Sequence, residues 1–154
     1  FNILGDIVVD ACVLDIFAGT GNLGLEALSR GAKTGVFVDN SKESIAVITE
    51  NAHHTKLVER TEIYKNDVYR SLELFSHKGR TFDLIFCDPP YKRGFIQGIL
   101  EKLNSYPIIA PQGVVVIEHS RDEKITDEWE NLQLRRTEKY GTTLISFLFY
   151  SRLK

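Results

Sequence analysis

Apolar residues in this chain come in short runs separated by polar, glycine-bearing stretches, and two spacings alternate. Val13-Leu14-Asp15-Ile16-Phe17, Thr34 to Asp39, Thr61 to Tyr64, Thr81 to Asp88 and Val114 to Glu118 are compact apolar runs of strand length. Between them, Leu25 to Leu28, Ser44 to Ala52, Val68 to Phe75 and Phe95 to Leu103 carry helical spacing, with Ser41 placed as an N-cap and Gly31 as a helix stop. Pro107 and Pro111-Gln112-Gly113 read as a loop before the fifth strand. After it the pattern changes: Leu132 to Lys139 and Leu144 to Tyr150 flank Tyr140-Gly141-Thr142-Thr143, two strands joined by a glycine turn. Five alternating units and a terminal hairpin predict an α/β fold with a mostly parallel seven-stranded sheet and an antiparallel strand near one edge. Ligands are expected at the carboxyl ends of the strands.

The residues that follow those strand ends carry the candidate chemistry. The fourth strand runs into Asp88-Pro89-Pro90-Tyr91. Consecutive prolines fix φ and supply no N–H, so the strand stops and presents its last groups rigidly. Asp88 offers a carboxylate, Pro89 a carbonyl and Tyr91 a flat face: two acceptors beside a stacking surface suit a planar NH₂ group. The structural alternative is a rigid turn closing a strand. The first strand ends in Ala18-Gly19-Thr20-Gly21-Asn22-Leu23-Gly24, whose glycines let the backbone turn and approach a ligand. Asp39, followed by Asn40, ends the second strand about twenty residues after Gly19, where an acid commonly takes the ribose hydroxyls of a nucleoside cofactor. Asp67, beyond the third strand, either accepts from the exocyclic amine of a cofactor adenine or caps the next helix. His119 follows the fifth strand and borders the site if its side chain turns that way.

Composition narrows the setting. With 154 residues, 43% of them hydrophobic, the chain supports one core, so a single domain and a monomer are expected. A net charge of −2 places any basic footprint locally; Lys92 and Arg93 are the candidates for RNA phosphate contacts, with a solvated helix start as the alternative. Arg135, Arg136 and Lys139 fall on the hairpin, where charge also guards an edge. Cys12 and Cys87 lack metal-type spacing and read as core residues, so no metal site is expected. No apolar run approaches a membrane span of ~20 residues, and a cytoplasmic location is expected.

The glycine pattern alone fits a nicotinamide cofactor as well. Asp15-Ile16-Phe17-Ala18-Gly19-Thr20-Gly21, however, resembles the nucleotide loop of class I S-adenosylmethionine-dependent methyltransferases. Leu14 to Ala32, Asp88 to Tyr91 and Tyr140-Gly141-Thr142-Thr143 together resemble the RsmD family, bacterial guanine-N2 methyltransferases of small-subunit (16S) ribosomal RNA. The resemblance implies a Rossmann-like class I methyltransferase fold and S-adenosylmethionine bound at Asp15, Phe17, Ala18, Gly19, Gly21, Asp39, Asn40, Asp67 and Asp88. It further implies catalysis at Asp88, Pro89, Pro90 and Tyr91, with ribosomal RNA or an assembling small subunit as partner. It also implies that the family's N-terminal segment, with its Arg-Pro-Thr element, would precede Phe1. The competing readings are a DNA or RNA adenine-N6 methyltransferase, a cofactor-binding module without catalysis and a nicotinamide oxidoreductase. The first needs the same two acceptors but a target-recognition region for which the stretch after Tyr91 leaves no room. The second has no need of the Asp88 to Tyr91 platform, and the third leaves it without purpose.

Overall fold

The computed structural model describes residues 3–90, 94–125 and 129–151. Four strand–helix units and a fifth strand follow a short 3-10 turn at Gly5–Val8: β1 (Cys12–Ile16), α1 (Asn22–Ser29), β2 (Thr34–Asp39), α2 (Lys42–His54), β3 (Thr61–Lys65), α3 (Val68–His77), β4 (Phe82–Cys87), α4 (Phe95–Ser105) and β5 (Ile109–Ser120). The hairpin β6 (Leu132–Tyr140) and β7 (Thr143–Tyr150) completes a seven-stranded sheet in the order β3-β2-β1-β4-β5-β7-β6. The strands from β3 to β5 are parallel, while β7 inserts antiparallel between β5 and β6. The strand order reverses between β1 and β4, so the connections leave on opposite faces and a crevice opens above the carboxyl ends there.

The central strands are buried on both faces. Leu14, Ile16, Val36, Val38 and Ile85 pack against α3 and α4 through Leu72, Ile99 and Leu100, while Val13, Phe37, Leu84 and Phe86 point the other way, toward Leu28 of α1 and Ile48 of α2. A strand covered twice has no polar face to show, which is why its sequence reads as a continuous apolar run. The helices stop and start where local chemistry directs: Ser41 Oγ accepts from Ser44 N, and Gly31, at φ +108°, lets the chain leave α1.

One element differs from expectation. β5 begins at Ile109, so Pro111-Gln112-Gly113 lies within a strand rather than before it. The pairing shifts along the way, from Phe82 opposite Ile109 to Leu84 opposite Val114. Gln112 takes a left-handed φ of +65°, and a Cβ at Gly113 would stand 2.5 Å from Ile109 Cγ2 and 2.9 Å from the Ala110 carbonyl. Proline and glycine mark a bulge here instead of an end. Of the two cysteines, Cys87 is buried and Cys12 only half-buried. Arg135, Arg136 and Lys139 lie on the edge strand β6, with Arg135 stacked 4.7 Å over Phe149 and Arg136 paired with Glu138. No helix among the described residues is long and apolar enough to cross a membrane.

Candidate active site

The glycine loop between β1 and α1 is held from behind and from the side. Asp15, 2% exposed, accepts from Gly24 N through Oδ2 at 3.0 Å. Asp39 Oδ2 accepts from Gly19 N at 2.9 Å and its Oδ1 from Ser41 N at 2.9 Å, which ties the loop to the end of β2. Each oxygen of Asp39 keeps acceptor capacity for one further donor. Gly19 and Gly21 have φ of +60° and +80°, but the third glycine is required for a different reason: a Cβ at Gly24 would sit 2.4 Å from Phe37 Cε2. Phe17 is itself left-handed, at φ +56°, an arrangement of order 1 kcal/mol unfavourable for a residue with a Cβ. Its ring stands 5.3 Å from that of Phe95 at the start of α4. Strain at an aromatic residue in a strand-to-helix loop is the kind of feature that accompanies function.

Across the crevice, β4 delivers Asp88, and Pro89 is buried behind it. The register that pairs Cys87 with Ile117 brings Glu118 of β5 beside Asp88. A side-chain hydrogen bond joins the two groups. Partial burial, and then the neighbouring Glu118, raise the Asp88 carboxyl to about 6. Asp15 is raised further, to about 8, because burial outweighs the Gly24 hydrogen bond and the charges of Asp88 and Asp39 act in the same direction. Phe17, Asp39, Asn40, Ser41, Asp88, Pro89, Pro90, Phe95 and Glu118 line one cleft of about 580 Å³. A second hollow of about 660 Å³ between α1 and α2 contains none of these strand-end acids.

Of the site residues singled out in the sequence, Phe17, Asp39, Asn40, Asp88, Pro89 and Pro90 line that cleft, while Ala18, Gly19 and Gly21 form the loop beside it and are not part of its wall. Asp15 braces the loop from inside the core and does not line the cleft, because its position within β1 turns it under Gly24. Asp67 is the N-cap of α3: its Oδ2 accepts from Arg70 N at 3.1 Å, it is exposed, and it is not part of the cleft wall. His119 faces away from the crevice, buried with Nε2 2.7 Å from Ser146 Oγ and Nδ1 2.7 Å from the Glu123 carbonyl. Strand alternation sends Glu118 to the site and His119 to the opposite face. Glu118 was missed because nothing in its local sequence sets it apart; alternation from Val114 was the one signal that could have found it. Tyr91, Lys92 and Arg93 lie outside the described residues. Among the described residues, no cluster of three or more acids, histidines or cysteines could hold a metal ion.

Sheet order, glycine loop and strand-end acids together define the class I methyltransferase fold. The chain belongs to the family described as Conserved hypothetical protein 95, whose model matches residues 1–149, and is an RsmD-type protein as its motifs suggested. It is 34% identical over 143 residues to YlbH of Bacillus subtilis, which bears the name "Putative rRNA methyltransferase", covering 93% of this chain and 78% of that one. Ribosomal RNA small subunit methyltransferase D of Escherichia coli K12 is 27% identical over 152 residues, covering 99% and 74%. Among solved structures, a conserved hypothetical protein of Streptococcus pyogenes superposes with a TM-score of 0.89 at 30% identity, covering 98% of this chain and 92% of that one.

Proposed function

We propose that this protein transfers a methyl group from S-adenosylmethionine to the exocyclic N2 amine of a guanine in small-subunit ribosomal RNA. The observation that carries the reading is the meeting in one cleft of Asp88 and Pro89, after β4, with Phe17 and with Asp39, which ties down the glycine loop. The names borne by the two relatives, an rRNA methyltransferase and a small-subunit rRNA methyltransferase, support the choice of RNA.

The residues present suit the cofactor. Burial, and after it the charge of neighbouring carboxyls, raises Asp88 in the cleft and Asp15 in the core behind it well above the ordinary 3.8. Such a site is stabilised by a cation, and S-adenosylmethionine is one, supplying an electrophilic methyl on its sulfonium. Asp39 would take the ribose hydroxyls with its remaining lone pairs, two charge-assisted bonds of roughly 1.5–3 kcal/mol each. Phe17 and Phe95 give an apolar wall that keeps water from the reacting groups. Gly19 and Gly21 let the loop backbone approach the amino-acid portion.

A guanine amine is a weak nucleophile because its lone pair is delocalised into the ring. When Asp88 and the Pro89 carbonyl each accept one of its N–H bonds, the nitrogen can pyramidalise and direct its lone pair outward. As the new N–C bond forms and the S–C bond breaks, one N2 proton becomes acidic and passes to the Asp88 carboxylate, then to water. Alignment of this kind can lower a barrier by ~7–11 kcal/mol. Asp88 must therefore be ionised, which its carboxyl, raised to about 6, is above neutral pH.

Two measurements test the reading. Calorimetric titration with S-adenosylhomocysteine should show saturable binding, and titration with NAD none. Incubation with labelled S-adenosylmethionine and undermethylated small-subunit RNA or particles, followed by nucleoside mass spectrometry, should yield N2-methylguanosine. Binding of NAD alone would overturn the cofactor, and N6-methyladenosine as the product would overturn the base.

A further inference from the structure

We infer that Glu118 selects guanine by accepting its N1–H while Asp88 accepts from the N2 amine. This rests on the guanine-N2 reading above and extends it to the residue that distinguishes one base from another.

The geometry is that of two carboxyls side by side on neighbouring parallel strands, joined by one hydrogen bond. Glu118 stands in the wall common to the acidic cleft and to a smaller, more enclosed hollow of about 100 Å³ with apolar sides, among them Leu23, Val116, Ile145 and Phe147. Tyr140 of the hairpin, 56% exposed, lines that same hollow. A base entering here meets two acceptors spaced as neighbours, with apolar surface and an aromatic ring beside them.

Donor and acceptor patterns then decide which base fits. Guanine presents N1–H and N2–H₂ as adjacent donors on one edge, so it can satisfy both carboxylates at once. Adenine presents N6–H₂ beside N1, which is an acceptor; its lone pair would face the Glu118 carboxylate. A partly desolvated acceptor set against an acceptor leaves both unsatisfied, and sites of this kind reject the wrong partner strongly. Asp88 alone accepts equally well from either base amine, so discrimination has to come from its neighbour.

The test uses an RNA hairpin carrying either guanine or 2-aminopurine at the position that mass spectrometry identifies as methylated. 2-Aminopurine keeps the N2 amine and replaces the N1–H donor by an acceptor. Wild-type protein should prefer guanine in kcat/KM by about tenfold or more. Glu118→Gln, whose amide can donate to or accept from N1, should narrow that preference severalfold at least, whatever it does to the absolute rate. S-adenosylhomocysteine titration and a melting curve show that the variant remains folded. Equal wild-type rates on the two hairpins, or a preference unchanged in Glu118→Gln, would overturn the role of Glu118 while leaving guanine-N2 methylation standing. If wild type acts only on particles, particles reconstituted with the same two bases replace the hairpins, and a product other than N2-methylguanosine would overturn the guanine-N2 reading and this inference with it.

Discussion

The two walls of the cleft are built on opposite plans. On the β1–β2 side the acids are tied down by backbone amides: Asp39, in the wall, by Gly19 and Ser41, and Asp15, in the core behind it, by Gly24. On the β4–β5 side Asp88 and Glu118 are set against one another. A carboxylate fixed by amides is an anchor whose position does not depend on a ligand. Two acids set side by side repel when both are charged, and a ligand with two adjacent donors relieves that repulsion. The first wall is suited to holding a cofactor in place, the second to meeting a substrate on which chemistry occurs.

Substitutions should separate the walls. Asp88→Ala should have the largest effect, lowering methyl transfer by about 100- to 10,000-fold while S-adenosylhomocysteine affinity, read by calorimetry, stays within about threefold; equal activity of variant and wild type would remove Asp88 from the mechanism. Asp39→Ala should do the reverse, costing roughly 1.5–3 kcal/mol per lost hydrogen bond in cofactor affinity with a smaller fall in the rate at saturating cofactor. Gly24→Ala acts on the anchoring wall without touching a ligand. Its Cβ must displace the Phe37 ring, so a loss of about 1–3 kcal/mol in a denaturant titration is expected.

Titration should sharpen the same contrast with smaller effects. Because Asp88 titrates near 6, kcat/KM should fall about tenfold per unit below that pH, and the fall should be absent from the residual activity of Asp88→Asn. Stability should show the opposite sense. Asp15 and Asp88 bind protons in the native state, up to about 8 and about 6, that the unfolded chain releases near 3.8, so their contribution to stability declines as pH rises through that window. Glu62, held low by Arg80, runs the other way: its contribution is present above its ordinary value and is lost as pH falls through its native one. A melting temperature that falls between pH 6 and 8, and falls less in Asp15→Asn, is the expected calorimetric result.

Much of this was legible in the sequence because its signals are contiguous. A strand, a glycine loop and a helix are specified by neighbouring residues, and so are Asp39 at its strand end and the proline pair after Asp88. Even Ser41 as a cap follows from local hydrogen bonding. Asp67 was legible only as an alternative, and the N-cap geometry takes up one of its oxygens. Asp15 looked like a contact because it precedes the glycines; whether a strand residue faces a ligand or a loop amide depends on what packs above it.

The glycine loop, Asp39 at the end of β2 and the proline pair after Asp88 were thus determined by the sequence itself. The acceptor pair was decided only by the tertiary structure. Had β5 continued in the register that sets Ile109 opposite Phe82, Val115 would stand beside Asp88; the shift to Leu84 opposite Val114 puts Glu118 there instead. That shift comes from the bulge around Gln112 and Gly113, far along the strand from the site. Strand register sums every residue between two points, and so the partner of Asp88 is fixed by a distortion at the other end of β5.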